Sequence, residues 1–173
     1  QIRAFFFVAV TATMAMVGYQ WVMDIDAPGG AWLAAVFNIT SILTGTGYAT
    51  TDYGQWGSFS VALFFVLTFI GGCAGSTSCG LKIFRLQVIV KSGWRYIRQL
   101  SLPNGVFVVR YNGRLLDDNV ANSVIAFVLI FILSFSGVAI ALSLMGLAPI
   151  TALSAAAAAI ANVGPGLGPD IGP

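Results

Sequence analysis

Histidine and glutamate are missing altogether, and the 173 residues include only 8 lysines and arginines and 6 aspartates, 8% charged in all. A soluble domain carries roughly a quarter of its residues as charges, so an ordinary soluble fold is excluded. Without histidine or glutamate, the usual general acids, bases and metal ligands are largely gone. A Ser76/Lys82 pair is the one conceivable catalytic dyad, and no further acid or oxyanion site accompanies it. Neither an enzyme nor a nucleic-acid binder is expected, and no covalently bound cofactor. The two cysteines, Cys73 and Cys79, sit six apart with no histidine to complete a zinc site. A disulfide framework is equally unexpected at membrane depth or on its cytoplasmic side, and both are expected as small, buried, free thiols.

What is present is apolar: 58% of residues are hydrophobic. Residues 4–23, 27–51, 53–81 and 119–169 contain no formal charge. A spanning helix needs about 20 such residues, so the chain is expected to cross a bilayer several times. The first run, Ala4 to Met23, is longer than a signal-peptide core and no small-x-small cleavage site precedes Asp24. The chain opens on Gln1 and stops after a loop, which leads us to expect a piece of a larger protein.

Charge placement sets the expected topology. Lys82, Arg85, Lys91, Arg95, Arg98, Arg110 and Arg114 cluster between 82 and 114, and the remaining cation is Arg3. By the positive-inside rule both places are cytoplasmic. Helix 4–23 then runs outward, a short segment 31–44 enters and returns on the outside, and helix 56–99 comes back in. Helix 120–146 leaves again and a second short segment, 149–161, re-enters from outside. Asp24, Asp26, Asp52 and Asp170 fall at the outer mouth, either as an acidic vestibule that concentrates cations or as plain topogenic asymmetry. On the inner side, Arg95 to Arg98 ends a helix that Pro103-Asn104 stops. Val106 to Tyr111, the Asn112-Gly113 turn and Arg114 to Leu116 read as a β-hairpin, either a docking surface or a connector.

Gly47 and Gly164 lie 117 positions apart (164 less 47). The same shift carries 4–23 into the third helix and 32–43 onto 149–160, so one unit of helix, short helix, glycine strand and helix occurs once whole and once in part. Two such loops cannot enclose an ion, and a ring of four is expected, with two units upstream. Each short helix delivers a glycine strand, Thr44-Gly45-Thr46-Gly47-Tyr48 or Asn162-Val163-Gly164-Pro165-Gly166, into the bilayer interior. Irregular backbone survives there only when buried in protein or lining a wet path. Stacked carbonyls that replace a cation's hydration shell need positive φ at alternate positions, and Gly45, Gly47, Gly164, Gly166 and Gly168 are the candidates. The short helices point their negative ends inward, which also favours a cation, and the alanine run 155–159 suits tight packing. A lone TGTGY could equally be a tight turn. Gly71 to Gly80 interrupts the second long helix with four glycines, each costing about 1 kcal/mol in a helix interior. This break is either a soft gate beneath a cation path or a small-residue packing face.

Gly71-Gly72-Cys73-Ala74-Gly75-Ser76-Thr77 followed by Gly80-Leu81-Lys82 closely resembles the helix-breaking loop of the bacterial Trk-type potassium-uptake membrane subunits (the TrkH/TrkG family of the Trk/Ktr/HKT superfamily). Asn162 to Gly168 resembles that family's last filter loop, and Thr46-Gly47-Tyr48 its third. The resemblance covers essentially the whole chain. It implies an all-α membrane protein of repeated helix, pore-helix, filter-loop, helix units, K⁺-channel-like, with a small cytoplasmic β-hairpin. Residues 1–100 would be the third pore repeat, with its filter at 44–49, and 101–118 a hairpin connector. Residues 119–173 would be part of the fourth repeat, with its filter at 162–168.

The resemblance further implies that carbonyls of Gly45, Thr46, Gly47, Asn162, Val163 and Gly164 bind K⁺, the only metal expected. Gly71, Gly72, Cys73, Ala74, Gly75, Ser76, Thr77, Ser78, Cys79 and Gly80 would form the gate. It implies K⁺ uptake across a bacterial cytoplasmic (inner) membrane, by a multi-pass subunit that dimerises in lipid and pairs with a TrkA-like cytosolic nucleotide-binding subunit. The chain departs from the family at Ser76-Thr77-Ser78-Cys79-Gly80, where the family usually has Ser-Thr-Gly-Gly-Gly. The family's last helix and first two units are not in this chain, and these residues alone are not expected to conduct. Alternatives are a Ktr-like, less selective K⁺/Na⁺ pore, or a structural membrane protein whose glycines serve helix packing.

Overall fold

A computed structural model describes residues 1–25, 30–76, 78–102, 105, 107–111, 114–168 and 171–172, with the backbone alone of Arg114. Asp26, Thr77, Pro103-Asn104, Val106, the Asn112-Gly113 turn and Asp170 therefore lie outside the described residues. The long charge-free runs form α1 (Ile2–Val22) and α5 (Asp118–Leu144), both long and apolar enough to cross a membrane. At 1.5 Å per residue they extend about 32 Å and about 40 Å, against about 30 Å of bilayer hydrocarbon. The Asp117 carboxylate starts α5 by accepting from the Asn119 amide at 3.2 Å. Between them lie α2 (Ala31–Thr44) and α3 (Ser58–Phe69). After a non-helical stretch comes α4 (Ile83–Ser101), and α6 (Pro149–Ala161) follows α5 with proline in its first turn. At 14 and 13 residues, α2 and α6 are too short to span.

The broken helix expected over 56–99 is two helices. A 3₁₀ turn at Tyr53–Trp56 precedes α3, and the glycine-rich segment separates α3 from α4. The segment is closed at its base by a pairing absent from the sequence reading: β1 (Ile70–Gly71) runs parallel to β2 (Leu81–Lys82), Ile70 opposite Leu81 and Gly71 opposite Lys82. Beyond α4, β3 (Arg110–Tyr111) and β4 (Arg114–Leu115) are antiparallel. The Leu116 amide extends the ladder to the Val109 carbonyl at 2.9 Å. Regular pairing is thus shorter than the strand expected from 106, since Phe107 to Val109 are assigned no strand. Lys91 Nζ donates to the Arg110 carbonyl at 2.8 Å. Arg95 pairs with Asp118 at 2.6 Å, a hydrogen bond that holds the guanidinium above its usual range.

The short helices are the buried ones. Seven residues of α2 and seven of α6 are buried, against three of α1 and four of α5. A helix apolar all round is stable only inside other structure, and α2 packs on α1 and α3 while α6 packs on α5 and α3. Large apolar side chains of α1 and α5, among them Phe7, Met14, Leu129 and Leu133, face outward, as expected of a chain bathed in hydrocarbon. Arg3 and Lys91 line one hollow with Tyr111, so the N-terminal cation lies at the same end as the hairpin. Around α2 the core is aromatic. Phe64 is 1% exposed and its ring stacks 4.0 Å from that of Tyr53, with Trp56 edge-on. Phe64→Ala should cost about 3–5 kcal/mol and lower the detergent-solubilised Tm clearly, whereas Phe7→Ala should barely move it. Equal shifts for the two would contradict this packing.

Candidate functional site

Both short helices end in the same way. After α2, the Gly45 amide donates to the Ile42 carbonyl (3.1 Å) and the Thr46 amide to Ser41 (3.0 Å). After α6, the Asn162 amide donates to Ala159 (3.3 Å) and Val163 to Ala158 (3.0 Å). These paired bonds are the Schellman motif, which turns the chain through one left-handed residue. Gly45 (φ 74°) and Asn162 (φ 51°) take that position, and every partner matches at the 117-residue offset. Positive φ then returns two residues later, at Gly47 (74°) and Gly164 (113°). The alternation expected for aligned carbonyls is present on both strands, with one correction. Gly166 does not have positive φ, and Asn162 starts the second series instead. A Cβ on Gly166 would meet the end of the Ile171 side chain. An asparagine tolerates the left-handed region better than other non-glycine residues.

The two strands meet backbone to backbone. A Cβ on Gly47 would run into the Val163 carbonyl, with Pro165 Cδ at 3.3 Å, and a Cβ on Gly45 would lie 3.9 Å from the Asn162 carbonyl. Gly164 faces the Gly47 Cα, at 3.7 Å from an added Cβ. The negative ends of α2 and α6 therefore come together, with carbonyl groups between them. Thr46 Oγ1 lies within hydrogen-bond range of Ser41 Oγ and Thr44 Oγ1.

The Gly71–Gly80 segment lies against these strands. Ser78 Cβ would be 3.6 Å from a Cβ on Gly45, Gly80 packs near Ala161, and Asn162 Nδ2 donates to Cys79 Sγ at 3.8 Å. Internally the loop is tied. The Gly72 amide donates to Ser78 Oγ (2.8 Å), Ser76 Oγ donates to the Cys73 carbonyl (2.7 Å), and Lys82 Nζ donates to the Ser76 carbonyl (3.0 Å). The Ala74 amide reaches Gln1 Oε1 at 2.9 Å. Lys82 thus engages a backbone oxygen and not the Ser76 hydroxyl, so the two side chains do not form a nucleophile–base pair. Both cysteines are free, as expected, but their expected burial does not hold. Cys79 is exposed and Cys73 half-buried.

Among the buried polar residues, two that the sequence did not single out tie the strands to the short helices. Asn38, in the middle of α2, accepts from the Thr50 amide (3.1 Å) and donates to Thr50 Oγ1 (3.1 Å). Ser154, in α6, accepts from the Leu167 amide (3.0 Å) and donates to the Leu167 carbonyl (2.8 Å). The signal was weak: each is one of several hydrogen-bonding side chains on a mostly apolar short helix, Asn38 beside Thr40, Ser41 and Thr44, and Ser154 beside Thr151.

A family model described as TrkH, a cation transport protein, matches residues 2–172. The chain is 49% identical over 154 residues to "Trk system potassium uptake protein TrkI" of Halomonas elongata, covering 88% of the chain and 31% of that protein. It is 30% identical over 168 residues to TrkG of Escherichia coli, covering 97% and 35%. The crystal structure of the potassium transporter TrkH from Vibrio parahaemolyticus superposes with a TM-score of 0.88 at 33% identity, over 96% of this chain and 36% of that one. The chain therefore spans about a third of the length of the relatives it matches.

Proposed function

Because the chain belongs to the TrkH family of cation transport proteins, we propose that it supplies the third and part of the fourth pore unit of a subunit that takes up K⁺. Residues 1–100 form the third unit, 101–118 the cytoplasmic connector and 119–173 the partial fourth. Carbonyls of Gly45, Thr46, Gly47, Asn162, Val163 and Gly164 coordinate the ion, and the 71–80 segment gates its path. The observation that carries this reading is the pair of matched strands, each with positive φ at alternate residues, apposed backbone to backbone at two short-helix C-termini. Carbonyl dipoles replace hydration without a full counter-charge that would trap the ion, and the helix ends add about half a negative charge each. The membrane potential supplies the drive, about 2.3 kcal/mol per charge for each 100 mV, so the pore itself needs no hydrolysis step. The subunit sits in the bacterial inner membrane as a homodimer, and its basic inner face meets a nucleotide-binding cytosolic subunit.

The test is rubidium uptake by the full-length subunit in cells lacking their own K⁺ uptake. At φ 113° a side chain is strained whatever the space around it, so Gly164→Ser should abolish uptake with the subunit still inserted. Wild-type uptake in that variant would remove Gly164 from the filter. No uptake by the intact wild type would turn the reading to a structural membrane protein.

A further inference from the structure

Among the described residues the strands that carry the candidate carbonyls have no ladder partner, so their position depends on how each end is fixed. The near end is held by the Schellman bonds, Thr46 to Ser41 and Val163 to Ala158. The far ends are Thr50 and Leu167, again 117 apart (167 less 50), and each is gripped at two points by one buried side chain from the helix that precedes it. Asn38 is 0% exposed and Ser154 is 3% exposed. The anchors differ chemically and sit one register step apart, since 38 shifts to 155 and the serine is at 154. The longer amide reaches a backbone amide and a hydroxyl, and the shorter hydroxyl straddles one residue's own amide and carbonyl. Two different side chains thus fix the same strand position in the two copies.

We propose that Asn38 and Ser154 are positioning residues that set the spacing of the carbonyl strands, and with it the discrimination between K⁺ and the smaller Na⁺. The inference rests on the filter reading above. A buried hydrogen-bonding group costs most when its partner is removed, and an amide released at Thr50 or Leu167 will turn the strand to find another acceptor. The carbonyls upstream move with it, and the smaller ion is then accommodated.

The experiment compares full-length subunits carrying Asn38→Ala, Ser154→Ala, Ser154→Thr, Thr50→Val and Gly47→Ala. It reads inserted protein, rubidium uptake, and the ratio of Na⁺ to K⁺ concentrations that halve that uptake. Both alanine anchors should lower the ratio about tenfold, the scale of one lost buried hydrogen bond, at near-normal maximal uptake. Ser154→Thr, which keeps the hydroxyl, should restore most of the ratio. Thr50→Val, which removes one grip from outside the core, should lower it about threefold. An unchanged ratio in both alanine anchors, with Gly47→Ala inactive, overturns this inference and leaves the filter reading standing. Uptake and inserted protein falling together at a constant ratio also overturn it, reducing the anchors to packing. Wild-type uptake and ratio in Gly47→Ala overturn the filter reading itself.

Discussion

Gly47→Ala should reduce rubidium uptake by the full-length subunit on the order of a hundredfold, while the amount of inserted protein stays the same. Two effects combine at this position. Its φ of 74° costs an alanine about 1–2 kcal/mol. The new Cβ also runs into the Val163 carbonyl, a backbone group. Val163 cannot retreat freely, because its amide is bonded to Ala158 and α6 is packed against α3 and α5. The carbonyl itself must swing, and it is one of those proposed to hold the ion. A loss of about 3 kcal/mol in ion stabilisation corresponds to roughly a hundredfold, whereas the folded unit loses only a small part of its packing. Gly18→Ala in α1 and Gly137→Ala in α5 are the controls, since an added Cβ at either meets nothing within 4 Å. If Gly47 served only packing, uptake and inserted protein would fall together in Gly47→Ala. Near-normal uptake in Gly47→Ala would end the filter assignment.

Gly71→Ala should act in the opposite direction, raising rubidium flux in the absence of any activating partner about tenfold. Gly71 is in the parallel pairing with Lys82, and a Cβ there would run into the Cys79 carbonyl. The base of the loop is forced apart, and the bonds from Gly72 to Ser78 and from Lys82 to Ser76 lie next to the disturbance. Each is worth about 1 kcal/mol net, so losing one or two shifts a closed–open equilibrium by about five- to thirtyfold. Lys82→Met separates the latch from the backbone clash, because it removes only the 3.0 Å bond to the Ser76 carbonyl. It should raise flux a few-fold. Reduced or unchanged flux in a fully inserted Gly71→Ala subunit would mean that the loop does not obstruct the path.

The charge-free runs made α1, α2, α5 and α6 legible, whereas α4 lies in the basic stretch outside them. Aspartates and basic residues punctuate the apolar stretches, and a short segment between two long ones cannot cross. The break in the second long helix was legible because four close glycines oppose helix formation. How the break closes was not. Strands of two residues have no periodicity, and the Ile70–Leu81 pairing depends on α3 and α4 bringing the two ends together. The alternating backbone was anticipated at Gly45, Gly47, Gly164 and Gly168 and misplaced at Gly166, because counting glycines passes over Asn162. The left-handed position is dictated by the end of α6 and not by residue type. Asn38 and Ser154 were passed over for a related reason. A polar residue on an apolar helix has no assigned partner until the returning strand is in place. The burial expected of Cys79 rested on the general habit of cysteine, and the helix-breaking segment leaves it exposed.

The parallel pairing at Ile70–Gly71 and Leu81–Lys82 fixes the distance between the ends of α3 and α4 independently of what the intervening residues do. A rearrangement of residues 72–80 then leaves the helix spacing and the surrounding lipid undisturbed. Loop motions run on nanosecond to microsecond scales, whereas helix displacements take microseconds to milliseconds. Current through the complete pore should accordingly flicker rapidly and respond little to bilayer thickness, as a hinged flap would and a bending helix would not.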